Sequence, residues 1–384
     1  MGVRPLAVKI GLRSSFFQGL DFYAGKEILF PFLAGLLFLT QVLLVTEVLA
    51  QADVLLGAGV SALDLLTVVA ELVPHFLGYV LPVAFLLGAV LGMGRLAQDR
   101  ELVALSAAGI SPLRFVRVTM GMGIAVAALT LWVGLVLEPI GLRNARVIVN
   151  SLVRKNVTSD VHAGVFYEEI PDLMLYAEHT EAGRWGHVLI SDHTDPTAPL
   201  LVLSNSGGIE PAGGGEEMRL LLGPGEVHRE ELHVDEYVAG RFQKASITLG
   251  IGRTISDRNR LVGSPFELGP RDIVALARAA KDTDSARHWW TFLHRRVAGP
   301  FAVLAFSILA VPIAASRRGG RAFGYVATLV AVVAYYAFLR FGEGLSYRGV
   351  LPSWAGPNLP NLVVAVVGVA SLAYIEHRGA GAVR

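Results

Sequence analysis

Cysteine is absent from the 384 residues, which excludes disulfides, thiolate metal sites and cysteine nucleophiles. Charge is scarce as well. Asp, Glu, Lys and Arg make up 17% of the chain against 53% hydrophobic side chains, too little to wet the surface of an ordinary soluble enzyme, so a membrane is the expected solvent. The formal charge is +1, and no long block of one sign marks a nucleic-acid surface or a disordered tail. Catalytic signatures are missing too: there is no HExxH and no GxSxG. The glycine-rich PAGGGEE (Pro211 to Glu217) lacks the Lys and Ser/Thr of a phosphate loop, and no GxxxxGK[ST] occurs elsewhere. ATP hydrolysis by that route is therefore not expected of this chain, and no catalytic residue or cofactor is assigned. The 10 His are scattered. His228 and His233 lie near acidic residues, yet they read as solvated strand positions, and no metal is assigned.

What the chain has is apolar runs of membrane length. A hydrocarbon core about 30 Å thick takes roughly 20 apolar helical residues. Six segments meet that need: Ile28 to Thr46, Leu72 to Gly94, Val118 to Leu137, Val297 to Ala315, Ala322 to Leu339 and Ser353 to Ile375. The first, followed by the small residues of VLAQA (Val48 to Ala52), also imitates a secretory signal. Its apolar run exceeds the roughly 7 to 15 residues of a signal core, which favours a retained anchor.

Lys and Arg gather before the first span (Arg4, Lys9, Arg13, Lys26), between the second and third (Arg95, Arg100, Arg114, Arg117), between the fourth and fifth (Arg317, Arg318, Arg321) and after the sixth (Arg378, Arg384). The alternate loops, Glu47 to Glu71 and Glu343 to Pro352, hold only Arg348. The positive-inside bias then predicts cytoplasmic termini and an external insertion between spans three and four. Arg143, Arg146, Arg295 and Arg296 beside that insertion do not count against this, because long translocated domains largely escape the rule.

The insertion changes character. Runs such as GVFYEEI, LMLYAEHT, HVLISDHT, PLLVLSNSG and ASITLGIG alternate with Gly, Pro, Asp and Asn punctuation, the pattern of short strands joined by turns. Pro270, Asp272 and the apolar set Ile273, Leu276, Ala277 and Ala280 predict a short amphipathic helix near its end. The expected organisation is a six-span α-helical transmembrane bundle (3+3) with an inserted all-β domain. Residues 1–140 hold spans one to three, 141–287 the β domain and 288–384 spans four to six.

Between spans two and three, RLAQDRELVALSAAGISPLRF (Arg95 to Phe115) carries Asp99, Arg100 and Glu101. A helix over about 98–110 is expected there, with an apolar face of Leu102, Leu105 and Ala108, and with Gly109 and Pro112 stopping it. Two readings stand side by side. One is a solvated turn; the other is a docking helix whose face seats in a groove of a cytoplasmic motor.

The motifs LPVAFLLGAVLGMGRLAQDRELVALSAAGIS, LHRRVAGPFAVLAFSILAVPIA, PNLPNLVVAVVG and GVFYEEIPDLMLYAEHT resemble the LptF/LptG family of lipopolysaccharide-export permeases over nearly the whole chain. The approach DTDSARHWWTFLHRR leans toward the LptF branch. The resemblance implies a multi-pass inner-membrane permease subunit of an ABC transporter, with a periplasmic β-jellyroll between two sets of three spans. The implied partners are a cytoplasmic ABC ATPase dimer, a homologous second permease, a membrane-anchored periplasmic jellyroll protein and lipopolysaccharide, with no nucleic acid. Glu101 falls on the family's ATPase-coupling carboxylate, with Asp99, Arg100, Leu102 and Leu105 beside it.

A phosphorylated glycolipid also needs cations at headgroup depth. Arg295, Arg296 and Arg340 are the candidates, although the first two could snorkel to ordinary lipid and Arg340 could simply pair with Glu343. The family lines its gate with spans one and five; here Glu47 and Gln51 replace a basic outer end on the first. In the β domain, Phe166, Tyr167, Leu173, Leu175 and Tyr176 are candidate acyl-chain contacts that would serve equally as sandwich core, Phe166 and Tyr176 being the pair assigned to substrate. An ion-coupled secondary transporter using Glu47, Arg340 or Glu343, or a membrane sensor or assembly scaffold, are the alternatives.

Overall fold

The computed structural model describes residues 7–50, 61–107, 114–160, 163–167, 173–181, 184–193, 199–212, 217–231, 236–249, 265–315 and 320–378. Their contacts divide the chain into two compact units. The first, Met1–Glu47 with Leu72–Gly141 and Leu268–Arg384, is helical. The second, Val48–Glu71 with Leu142–Glu267, holds all the described strands.

Among the described residues, six helices are long and apolar enough to cross a membrane. They fall in α1 (Ala7–Ala50), α2 (Ala62–Gln98), the run from α4 (Arg114–Trp132) into α5 (Glu138–Asp160), α7 (Thr283–Ala315), α8 (Gly320–Tyr347) and α9 (Ala355–Arg378). Two shorter helices lie between them, α3 (Glu101–Ala107) and α6 (Pro270–Ala279). Helix α2 keeps Pro74 and Pro82 inside it, and α7 keeps Pro300 and Pro312. Lipid rewards every intrahelical hydrogen bond so strongly that such prolines bend a spanning helix without ending it.

The spans are not equally enclosed. Of the most apolar stretch of each span, 67% is buried in both α2 and α7, against 22% in α1 and in α9 and 17% in α8. Helices α2 and α7 are therefore the middle of the bundle. Phe85, Leu81, Leu86, Met93 and Phe306 are its largest enclosed side chains. On α1, Phe30, Leu37 and Phe38 face outward, as do Val326, Leu329 and Val333 on α8.

Helix α1 meets α2 at two glycines one helical turn apart. A side chain at Gly88 would overlap the backbone of Phe32, and one at Gly92 the backbone of Glu27 and Ile28. Small residues at this spacing let two membrane helices approach backbone to backbone, where dispersion replaces the hydrophobic effect that lipid cannot supply. Ala24, Ile28 and Phe32 of α1 are buried by that approach.

The third span contains a π-turn, Val133–Leu137, where Glu138 N–H reaches back to Val133 O. The helix then continues to Asp160. Sequence periodicity starts the insertion near residue 141, but a polar, amphipathic extension carries the helix on for about 20 residues (~5 turns at 3.6 residues each) into the second unit. Within that unit Arg146 pairs with the buried Glu267 at 3.2 Å.

The strands are β1 (Phe166–Tyr167), β2 (Leu173–Glu181), β3 (Arg184–Asp192), β4 (Leu200–Ala212), β5 (Glu217–Leu222), β6 (Gly225–Glu231), β7 (Glu236–Phe242) and β8 (Ala245–Leu249). Every pairing is antiparallel. The order β1-β2-β3-β4 is a meander that forks at the long β4. Its first half (Leu200 to Ser204) pairs with β6, and its second half (Gly207 to Ala212) with β5. One branch continues to β7 and the other to β8. Ser204 sits at the fork, its hydroxyl donating to Ser206 O at 2.8 Å. Period-two alternation buries Leu173, Leu175 and Ala177 on one face of β2 and leaves Met174 and Tyr176 half-buried on the other.

The predicted helix near the end of the insertion is α6. Pro270 opens it, Asp272 accepts from Gly269 N–H at 3.1 Å, and Ile273 and Ala277 are buried. Asp282 caps α7: Ser285 N–H and Ser285 Oγ donate to its carboxylate at 2.6 and 2.7 Å.

Candidate functional site

Two polar sites lie at opposite ends of the helical unit. The first surrounds α3. Helix α2 ends because Arg100 takes a left-handed backbone, φ 59°, the conformation that commonly terminates helices and normally falls to glycine. Sequence patterning expects Asp99 inside the helix over 98–110; instead Asp99 and Arg100 form the turn, and α3 begins at Glu101. Gly109 and Pro112 lie outside the described residues, as does Ala108.

Glu101 is half-buried, and its carboxylate accepts from Tyr23 Oη at 3.3 Å. Leu105 packs on the bundle core. The backbone of Leu102 is helical. Asp99, exposed, lies 3.9 Å from Arg95, which also bonds Glu27 of α1 at 3.0 Å. Arg114 grips Asp21 through both Nε and Nη2, at 3.2 and 2.9 Å. Three polar contacts thus tie the α2–α3–α4 corner to α1. A cavity of about 910 Å³ opens beside it, with Lys26, Arg95 and Arg100 among its lining residues. The half-exposed carboxylate of Glu101, pre-oriented by Tyr23, can accept a further charge-assisted hydrogen bond from an incoming cation.

The second site lies at the end where the chain leaves for the insertion, and Tyr79 of α2 is its hub. The Tyr79 hydroxyl accepts from Arg295 Nη2 at 3.3 Å, and its carbonyl accepts from Tyr336 Oη at 3.3 Å. Its ring meets the His75 imidazole edge-on at 5.3 Å. Arg295 Nε is 3.1 Å from Glu343 Oε1, and Arg340 Nη1 donates to Glu343 Oε2 at 3.3 Å. Glu343 is 3% exposed and therefore bridges a buried guanidinium and an open one. His75 Nδ1 and Glu138 Oε1 are 2.8 Å apart, both side chains being almost fully enclosed. The π-turn immediately before Glu138 shifts the helix register at the carboxylate, a device frequent at functional positions.

The three arginines predicted to meet headgroups differ sharply here. Arg296 is buried, donates to Leu268 O at 2.7 Å and lies over the Phe292 ring at 5.0 Å. Arg295 is 14% exposed at its side chain, whereas Arg340 is 68% exposed. The site sets three guanidinium groups against two carboxylates, and Arg340 is the arm that reaches outward. Sequence reasoning passed over His75, Tyr79 and Glu138. A histidine and a glutamate each near the end of an apolar run was the available signal, since ionisable groups are costly there.

In the β unit, Phe166 and Tyr176 are register partners whose rings lie 4.9 Å apart. Phe166 is exposed, and Tyr176 lines a cavity of about 550 Å³ together with Leu189, Leu203 and Phe242. Tyr167, Leu173 and Leu175 are buried, the burial expected of sandwich core. His228 Nδ1 bonds Tyr237 Oη at 2.6 Å; His233 lies outside the described residues.

Compared with known proteins, the chain matches no curated protein. The family model described as lipopolysaccharide export system permease LptF/LptG matches residues 22–374, taking in every described strand and at least part of each of the six spans. The chain belongs to the LptF/LptG family of lipopolysaccharide export permeases, multi-pass proteins of the inner membrane.

Proposed function

We propose that this chain is one of two permease subunits, in the LptF seat, of an ATP-driven machine that draws lipopolysaccharide from the outer leaflet of the inner membrane. The termini and α3 face the cytoplasm and the β unit faces the periplasm, a reading that the distribution of Lys and Arg supports. The observation that carries the reading is the unequal enclosure of the spans. Helices α1, α8 and α9 leave most of their most apolar stretch uncovered by the rest of the subunit, as walls shared with a second permease and with lipid acyl chains would.

The engine is a separate ABC ATPase dimer. Its basic groove seats α3, and a cation there pairs with Glu101. Nucleotide-driven movement reaches the spans through the Tyr23, Glu27 and Asp21 contacts, which lock the α3 corner to α1. Arg340, with Arg295 behind it, holds a headgroup phosphate at the outer end. Acyl chains pass to the Tyr176, Leu189 and Leu203 face of the β unit. A membrane-anchored jellyroll protein receives them by edge-to-edge strand pairing. No cofactor is needed on this chain.

Affinity purification in mild detergent tests the reading. Recovery of one ABC ATPase, one homologous permease and one single-span jellyroll protein is expected, and Glu101→Lys should lose the ATPase while retaining the other two. Recovery of this chain alone would return the ion-coupled alternative to the front.

A further inference from the structure

Strands β2 and β3 carry a feature that export does not use. Their ladder pairs Ala177 with Val188 and His179 with Gly186 but skips the pair between, Glu178 and His187. The cause is His187, whose φ of 49° places a non-glycine residue in the left-handed region inside a strand, a conformation that persists only where its surroundings compensate. In a regular pleat Glu178 and His179 would point to opposite faces. Here the Glu178 carboxylate nonetheless lies within 4 Å of both imidazoles.

His187 Nδ1 lies 3.1 Å from Glu178 Oε2, His179 Nε2 lies 3.8 Å from Glu178 Oε1, and the two imidazole rings are 6.3 Å apart. The His179 ring lies over Gly186, where a side chain would touch its Cδ2 at 3.9 Å. One donor atom from each residue falls within 4.8 Å of the others, and all three side chains are exposed. An ion with ligands at about 2.0–2.2 Å holds donors on opposite sides about 4 Å apart and adjacent donors closer. Small side-chain rotations, unhindered at exposed positions, bring these three to that spacing.

We propose that Glu178, His179 and His187 bind a divalent first-row transition ion, with Zn²⁺ as the best fit. Two imidazoles and one carboxylate suit Zn²⁺, Ni²⁺ or Cu²⁺ and disfavour Mg²⁺ and Ca²⁺, which prefer all-oxygen shells. Water completes the coordination. The ion clips β2 to β3 at the point where their ladder is broken, so it stabilises the sheet beside the cavity that His187 and Tyr176 line.

The full chain, without any histidine tag, is purified in detergent, stripped with chelator and titrated with ZnCl₂, by calorimetry and by metal analysis after desalting. One Zn²⁺ per chain and a rise in melting temperature are expected, with no rise from MgCl₂. Affinity should fall by more than about tenfold in His179→Ala and in Glu178→Gln. His187→Gly supplies a separate readout. Glycine accepts the left-handed backbone, so the metal-free protein should melt no lower than wild type while the Zn²⁺-induced rise disappears. The proposal is overturned if wild type takes up no Zn²⁺, or if the His179 and His187 variants retain wild-type stoichiometry and affinity.

Discussion

His75 and Glu138 form the most enclosed hydrogen-bonded pair at the Tyr79 site, and the cost of separating them is set by desolvation. Removing one partner of a buried pair leaves the other uncompensated, at about 3–5 kcal/mol. His75→Ala should therefore lower the stability of the detergent-solubilised protein by about 3 kcal/mol, read from its melting curve. The double variant His75→Leu with Glu138→Leu should recover most of that loss. Asp282 gives a pH-dependent counterpart. The Ser285 backbone and hydroxyl donors hold its carboxyl below the usual carboxylate range. Its charged cap is therefore fully present above the unfolded-state value of about 3.9 and is lost as pH falls through the lower folded value. Asp282→Ala should melt lower than wild type at neutral pH, and the gap should narrow below about pH 4. At the arginines exposure decides the outcome: Arg340→Ala should reduce glycolipid crosslinking without changing the melting temperature, whereas Arg296→Ala should lower it by removing the Leu268 and Phe292 contacts.

At the scale of elements, the α1–α2 contact depends on two missing side chains. Gly88→Leu would drive a branched side chain into the Phe32 backbone. Overpacking of this kind costs about 1–3 kcal/mol or more, and the variant should show faster proteolysis within α1. A leucine at Gly94, which has open space around it, should be tolerated. The spans, the short strands and α6 were legible in the sequence because each is written in a local period or a local cap. The Glu101 helix was legible in outline only, since nothing in QDRE announces that Arg100 will take a left-handed backbone. The Tyr79 site was partly legible. Arg295, Arg296 and Arg340 stood out as charges near apolar runs, but the sharing of Glu343 and the His75–Glu138 pair arise from residues up to 63 positions apart, joined by helix packing and a π-turn that no local pattern encodes. The Glu178, His179 and His187 cluster was hidden for a related reason, as strand alternation places Glu178 and His179 on opposite faces and no local pattern announces the left-handed backbone of His187 on the neighbouring strand.

For the molecule as a whole, the proposed function makes the two polar sites the ends of a lever. One end presents a carboxylate on a short helix braced against α1; the other presents an outward arginine above a buried charge network. The central claim is that movement enters through Glu101 from a nucleotide-burning partner. The most direct measurement is lipopolysaccharide release from proteoliposomes holding this chain, the second permease and the ATPase, comparing wild type with Glu101→Ala. ATP-dependent, vanadate-sensitive release that falls by more than about tenfold in the variant, about 1.4 kcal/mol of lost coupling, and that ignores an ionophore, is predicted. Release that is unchanged in the variant, or that stops when the ion gradient collapses, would contradict it.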